Sequence, residues 1–214
     1  MPVYHRHKLI HIHIPKTAGT AIEQFFHDIG DMEWGPLSWV GQERRGRRWF
    51  EFQHLTYQEL KSFTASEYDA FTSFAVVRNP YLRCVSDYLW HRAPPRRTFD
   101  SLDAFLDSIP RDLETSWEDH IWGADQQTAN VLIHTRPQHH YIFDPSGNCL
   151  VHHILRFESL EADMTRFLAP YGLSASFIKP RSARPIEQYL ERAQLDLINE
   201  IYAVDFDRLS YPVQ

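Results

Sequence analysis

The chain has 214 residues, a formal net charge of −6, 43% hydrophobic and 23% charged residues. That size and composition suit one globular domain with a real core, and the acidic balance argues against a general nucleic-acid surface, which is usually basic. No apolar run reaches the roughly 18 residues of a membrane span, the N-terminus lacks a charged-then-apolar leader pattern, and Cys84 and Cys149 read as free thiols. A cytoplasmic protein is the expectation.

Residues 8–14 alternate, with Ile10, Ile12 and Ile14 on one face and His11 and His13 on the other, which predicts a strand. Pro15 to Thr20 interrupts it. Residues 21–29 then read as a helix with Ile22, Phe25, Phe26 and Ile29 inward. The stretch 31–48 is rich in Trp, Gly and Arg and reads as a long loop; residues 49–52 are a short strand candidate. A helix over 56–63 opens with Thr56 and Glu59 in capping-box spacing.

The β-branched and aromatic run 72–77 predicts a buried strand. Asn79 suits an N-cap and Pro80 a first helical position, so 81–91 reads as a helix that Pro94 and Pro95 stop. Two or three helices are expected between Ser101 and His134. Residues 141–143, a turn at 144–148 and residues 150–157 read as a hairpin with a long second arm. Helices at 160–171, 186–192 and 195–203 finish the chain. Strands alternating with helices give an α/β fold: a single domain over 1–214 with a central, mainly parallel sheet flanked by helices.

Three predicted strands are followed by chemistry. Lys16, Thr17, Ala18, Gly19 and Thr20 follow the first, His54 follows 49–52, and Arg78 follows 72–77. In open α/β sheets ligands sit beyond the carboxyl ends of the strands, so these groups are expected to share one crevice. A Gly-containing turn into a helix aims backbone N–H groups at an anion, with Lys16 as a mobile cation and the threonine hydroxyls as further donors. Taken alone, the loop is equally an ordinary turn with a solvated lysine. Arg78 and Ser86 suit bidentate phosphate binding reinforced by a hydroxyl; alone, they read as a surface ion pair and a helical serine.

Together the segments Ile14-Pro15-Lys16-Thr17-Ala18-Gly19-Thr20 and Arg78…Ser86 resemble the PAPS-dependent sulfotransferases, particularly the carbohydrate 2-O-sulfotransferase-like branch and its bacterial relatives. The resemblance extends to Gln53-His54-Leu55-Thr56-Tyr57, Arg156-Phe157-Glu158-Ser159-Leu160 and Tyr202…Asp205-Phe206, covering nearly the whole chain. It implies a P-loop-like loop for the 5′-phosphosulfate of 3′-phosphoadenylyl sulfate (PAPS), with Lys16 on the bridging oxygen and the backbone of Thr17 to Thr20 around the phosphate. It also implies Arg78 and Ser86 on the 3′-phosphate, His54 as general base towards an acceptor hydroxyl of carbohydrate type, and no metal. Ser182 and Arg184, in the late basic segment Lys179 to Arg184, match more loosely as donor contacts.

Other features stay open. His5, His7, His11 and His13 share a face by parity, which raises a metal site, yet no Cys or carboxylate joins them at ligand spacing. The His139-His140 and His152-His153 pairs read as hairpin residues. The Arg44 to Arg48 run either greets an anionic acceptor or is a solvated loop. Trp34, Trp39, Trp90, Trp117 and Trp122 either stack on an acceptor or pack in the core. A P-loop kinase or NTPase would need Gly-x-x-x-x-Gly before Lys16-Thr17, and that segment, with His11, Ile14 and Pro15, lacks those glycines; a non-catalytic nucleotide-binding module would keep Arg78 and Ser86 without needing His54.

Overall fold

The computed structural model describes residues 2–32, 42–111, 117–175 and 190–214. Its strands are β1 (Val3–Tyr4), β2 (Leu9–Ile12), β3 (Gln42–Arg45), β4 (Arg48–Glu51), β5 (Thr72–Val77) and β6 (His153–Arg156). Its helices are α1 (Gly19–Asp28), α2 (Tyr57–Thr64), α3 (Pro80–Arg92), α4 (Leu102–Asp107), α5 (Trp117–Ile121), α6 (Gln126–Thr135), α7 (His139–Ile142), α8 (Leu160–Leu168), α9 (Arg192–Ile201) and α10 (Ala203–Arg208). The main sheet has the order β1-β2-β5-β6. β1 is antiparallel to β2, while β2–β5 and β5–β6 are parallel, with Ile12 opposite Ala75 and Val77 opposite Arg156. The expected single α/β domain with a mainly parallel, helix-flanked sheet is present.

Parallel strands under helices on both faces are buried on both sides, and β2 shows it: all four of its residues are buried. Ile10, Ile12, Ala75 and Val77 enter one core with Tyr81, Leu132 and Ile198. Leu9, Phe74 and Val76 enter the other with Ile22, Phe26, Met164 and Leu168. The predicted histidine face is therefore a second interior. His11 is fully buried and lies flat on Phe74, with ring centroids 4.7 Å apart.

Local signals place α2 and α3. The Thr56 hydroxyl accepts from the Glu59 amide, and the Glu59 carboxylate accepts from the Thr56 amide, closing the capping box. The Asn79 side chain accepts from the amides of Tyr81 and Leu82, with Pro80 opening α3.

Several expectations need correction. The predicted loop 31–48 contains β3, which pairs with β4 as a separate hairpin turning at Gly46, whose φ of 62° suits glycine. Residues 33–41 lie outside the described residues. In the basic run, the Arg48 guanidinium is ion-paired with Glu59 and that of Arg45 sits 4.3 Å from the Phe63 ring centre; the side chain of Arg44 lies outside the described residues. The predicted hairpin over 141–157 shrinks to one bridge, Phe143 with Cys149, because α7 occupies its first arm and the second continues into the parallel strand β6. Of the predicted helix 186–192, residues 186–189 lie outside the described residues, and Glu191 is the N-cap of α9. Both cysteines are free, Cys84 buried and Cys149 exposed, and no helix among the described residues is long and apolar enough to cross a membrane.

One buried ion cluster ties the hairpin to the body. Arg136 is 1% exposed at the end of α6, and its guanidinium donates to both Glu59 oxygens at 3.4 Å. Burial alone would raise the Glu59 carboxyl, but Arg136 and Arg48 hold it below its usual range. Removing one partner leaves a buried charge uncompensated, which costs about 3–5 kcal/mol. Glu59→Ala should therefore lose about that much stability in urea unfolding; a loss below about 1 kcal/mol, the scale of an exposed pair, would contradict this role.

Candidate active site

The chain leaves β2 through residues 13–18 and enters α1 at Gly19. Lys16 and Ala18 both take left-handed backbone conformations, with φ of 68° and 76°, each costing about 1–2 kcal/mol for a non-glycine residue. Ala18 is the N-cap and has no side-chain capping bond, so the first amides of α1 have no side-chain acceptor. Free amides at a helix start form an anion-binding end. Gly19 is required by its neighbour: a Cβ there would stand 1.9 Å from Nε2 of His13.

The loop is tied down from below. The Thr17 hydroxyl, fully buried, donates to the Ile14 carbonyl at 2.8 Å. The sequence expectation of a Thr17 hydroxyl donating to a ligand is thus corrected, because that proton is spent inside the loop; Thr20 remains exposed. Buried Arg83 donates through Nε to the Pro15 carbonyl at 3.1 Å and through Nη2 to the carbonyls of His134 and Arg136. It therefore fastens the loop to the end of α6.

Arg78 leaves the end of β5, and its Nη1 donates to the Lys16 carbonyl at 3.1 Å. Its guanidinium lies 4.1 Å from the Phe157 ring centre. Gln138 clamps its backbone, with Oε1 accepting from the Arg78 amide and Nε2 donating to the Arg78 carbonyl. Gln138 is held in turn by Asp205, which accepts from its amide at 2.7 Å. Glu158 accepts from the Asn79 amide. The segments at Arg156 to Leu160 and Tyr202 to Phe206 thus position Arg78. Ser86 is half-buried on α3, one turn before Trp90.

A cavity of about 450 Å³ opens beside the loop, and Lys16, Thr20 and His54 line it. His54 arrives by a route the sequence did not suggest. It ends the 3₁₀ turn Phe52–His54 after β4, outside the main sheet, so the expected convergence of three strand ends of one sheet is corrected to two ends plus a hairpin exit. Arg78 and Ser86 are not among the cavity's lining residues; Arg78 joins the site through the Lys16 carbonyl. Ser182 and Arg184 lie outside the described residues.

Sequence reasoning missed much of the cavity wall: His13, Glu23, Glu51, Arg96 and His134. Among the described residues, Trp90 is the tryptophan that lines it, stacked on His134 at 4.3 Å, with Arg96 3.6 Å and the Lys16 ammonium 5.5 Å from its ring centre. Trp117 is buried and donates to the Leu132 carbonyl, Trp122 is exposed, and Trp34 and Trp39 lie outside the described residues. Two of the amino-terminal histidines meet carboxylates from outside their own strand: His7 bonds Asp31 at 2.5 Å and His13 bonds Glu23 at 2.6 Å. The His139 and His152 rings bond Asp205 and Ser73 respectively.

Histidine chemistry dominates the wall. The His54 ring meets His13 and His134 edge-on, at 4.5 and 5.1 Å between centroids. Its Nδ1 lies 2.8 Å from the His13 carbonyl. A carbonyl only accepts, so Nδ1 carries the proton and Nε2 keeps its lone pair. Burial, reinforced by His13 and His134, pushes His54 well below its ordinary value, so the ring is neutral near pH 7. Nδ1 of His134 sits 2.9 Å from Asp87. Burial opposes the Asp87 charge, but His134 and Arg83 keep that carboxyl below its usual range, so His134 is also the donor at Nδ1. Lys16 is pulled down by burial, Asp87 opposing. Two groups among the described residues have metal-ligand spacing: Glu51, His54 and His134, and Asp87, His91 and His134. Gly19→Ala should cost roughly 1–3 kcal/mol by forcing the His13 ring aside; wild-type stability in chemical denaturation would show that the loop gives way freely.

A family model described as “Sulfotransferase family” matches residues 1–212. No curated protein and no solved structure matches the chain. The match spans the loop, His54, Arg78 and the segments that brace them, and it shows that this chain belongs to the sulfotransferase family.

Proposed function

We propose that the chain transfers the sulfuryl group of PAPS to an acceptor hydroxyl, of the carbohydrate kind used by the 2-O branch of the family, with His54 as general base. The observation that carries this reading is the orientation of His54. The His13 carbonyl takes the Nδ1 proton, and the remaining lone pair belongs to a residue lining the same cavity as Lys16.

The donor's 5′-phosphosulfate is assigned to the loop, where Lys16 and the backbone amides from Thr17 to Thr20, at a helix start without a side-chain cap, would meet growing negative charge. Arg78 and Ser86 are assigned to the 3′-phosphate; the clamp by Gln138 and the stacking on Phe157 pre-set the guanidinium. In the transfer, His54 Nε2 takes the acceptor's hydroxyl proton as that oxygen bonds sulfur. The bond from sulfur to the 5′-phosphate oxygen breaks, and Lys16 stabilises the charge left on that oxygen. The imidazolium formed on His54 stands 4.0 Å from Glu51 Oε1, an opposite charge close enough to favour it.

His54→Ala should lower kcat about 10²–10⁴-fold while 3′,5′-ADP binds as in the wild type; unchanged turnover would remove His54 as the base. A preference for ATP with magnesium over 3′,5′-ADP in calorimetry would point to a kinase and overturn the donor assignment. Because burial lowers the basicity of His54, protonation silences it only as pH falls well below about 6.5. The kcat/KM profile should therefore stay level from about pH 8 to 6.5 and drop only in more acid solution; an acid limb centred at or above 6.5 would contradict the assignment.

A further inference from the structure

We propose that Glu51, His54 and His134 form a binding site for one divalent transition-metal ion of the zinc type, and that filling it switches the enzyme off. The switch rests on the role given to His54 above; the metal site does not.

The three residues each offer a donor atom, all within 4.8 Å of one another, and all three line the cavity. The imidazoles are prepared as ligands. His54 Nδ1 is held by the His13 carbonyl and His134 Nδ1 by Asp87, so Nε2 is the nitrogen of each ring left to meet an ion. A histidine that binds a metal through one nitrogen almost always gives the other to a carbonyl or carboxylate, which fixes tautomer and ring orientation. Glu51 is oriented in the same manner: Oε2 accepts from Asn130 at 3.1 Å, and Oε1 stands 4.0 Å from His54 Nε2.

The donor set chooses the ion. Two imidazoles and one carboxylate suit zinc or cobalt, whereas magnesium and calcium want oxygen throughout. At metal–ligand distances of about 2.0–2.2 Å, tetrahedral donors stand about 3.3–3.5 Å apart, so Glu51 and His54, at 4.0 Å, need to close by about half an ångström and no pair by more than about 1.5 Å. Three protein ligands leave a fourth position towards the cavity. The neighbouring group of Asp87, His91 and His134 is the weaker site: all three residues are buried, and His134 Nδ1 is already committed to Asp87. An ion on His54 Nε2 takes the lone pair that would accept the acceptor's proton, so it acts as an inhibitor of transfer.

The test uses the full chain stripped of metal with EDTA and titrated with cobalt(II), read by visible absorption, and with zinc(II) against a chromogenic chelator. One equivalent should bind, with the strong d–d bands of a four-coordinate cobalt site. His134→Gln and Glu51→Gln should each weaken binding at least tenfold, and His153→Asn, on the exposed edge of the sheet, should not; thermal melts confirm that the variants fold. Absence of saturable binding, or binding indifferent to both Glu51 and His134, overturns the site. Zinc should also abolish sulfuryl transfer over the concentration range that fills it, and undiminished transfer by the zinc-filled chain would overturn the switch. Zinc binding that depends on Glu51 and His134 in a chain that transfers no sulfuryl group upholds the site and refutes only the earlier assignment of His54.

Discussion

The hydrogen bond from His54 Nδ1 to the His13 carbonyl joins two parts of the fold that the sheet does not connect. His13 lies where β2 runs out into the loop; His54 ends the turn after a hairpin that stands apart from the main sheet. A neutral hydrogen bond of this kind contributes about 1 kcal/mol net, but a buried donor left without its acceptor costs about 1–3 kcal/mol. The bond therefore acts less as glue than as a constraint: the imidazole is admitted to the interior in one tautomer. From that follow the lone pair on Nε2 and the edge-on contacts with His13 and His134, while burial, which outweighs the opposing pull of this bond, keeps the ring neutral.

Around this constraint the chain holds polar groups the interior would ordinarily refuse. Glu59 binds Arg136 and Arg48, Asp205 binds Gln138 and His139, and Asp87 binds His134. Glu59 and Asp205 fix residues that belong to the hairpin or touch Arg78, and Asp87 fixes His134 against His54. Left-handed backbone at Lys16 and Ala18 costs a further few kcal/mol, and Arg83 beneath the loop and Arg78 beside it hold that conformation in place. Such strain persists only where the surroundings over-determine it. Rigidity here serves geometry rather than overall stability.

Much of this was legible in the sequence because it is local. The alternation before Pro15, the Thr56 and Glu59 pair and Asn79-Pro80 each act over a few residues, and β2, α2 and α3 follow from them. The loop and Arg78 were legible as chemistry at strand ends. What was not legible depends on contacts between distant residues. His11 and His13 read as a polar face, because nothing nearby in sequence announces Phe74 against one and Glu23 against the other. His134 looked like any helical histidine until Asp87, from α3, met it. The second arm at 150–157 read as hairpin because its parallel partner β5 lies far away in sequence. Gly46 was a signal for the β3–β4 turn, masked by the arginines around it.

The chemistry turns on His54 being neutral, with its proton on Nδ1 and its lone pair on Nε2. Long-range ¹⁵N–¹H correlation spectra of the histidine-labelled protein, followed through a pH titration, report both properties for the assigned ring. The spectra should show the Nδ1-protonated tautomer, with no imidazolium appearing until pH is well below about 6.5. A ring protonated on Nε2, or one that titrates at or above that value, would contradict it.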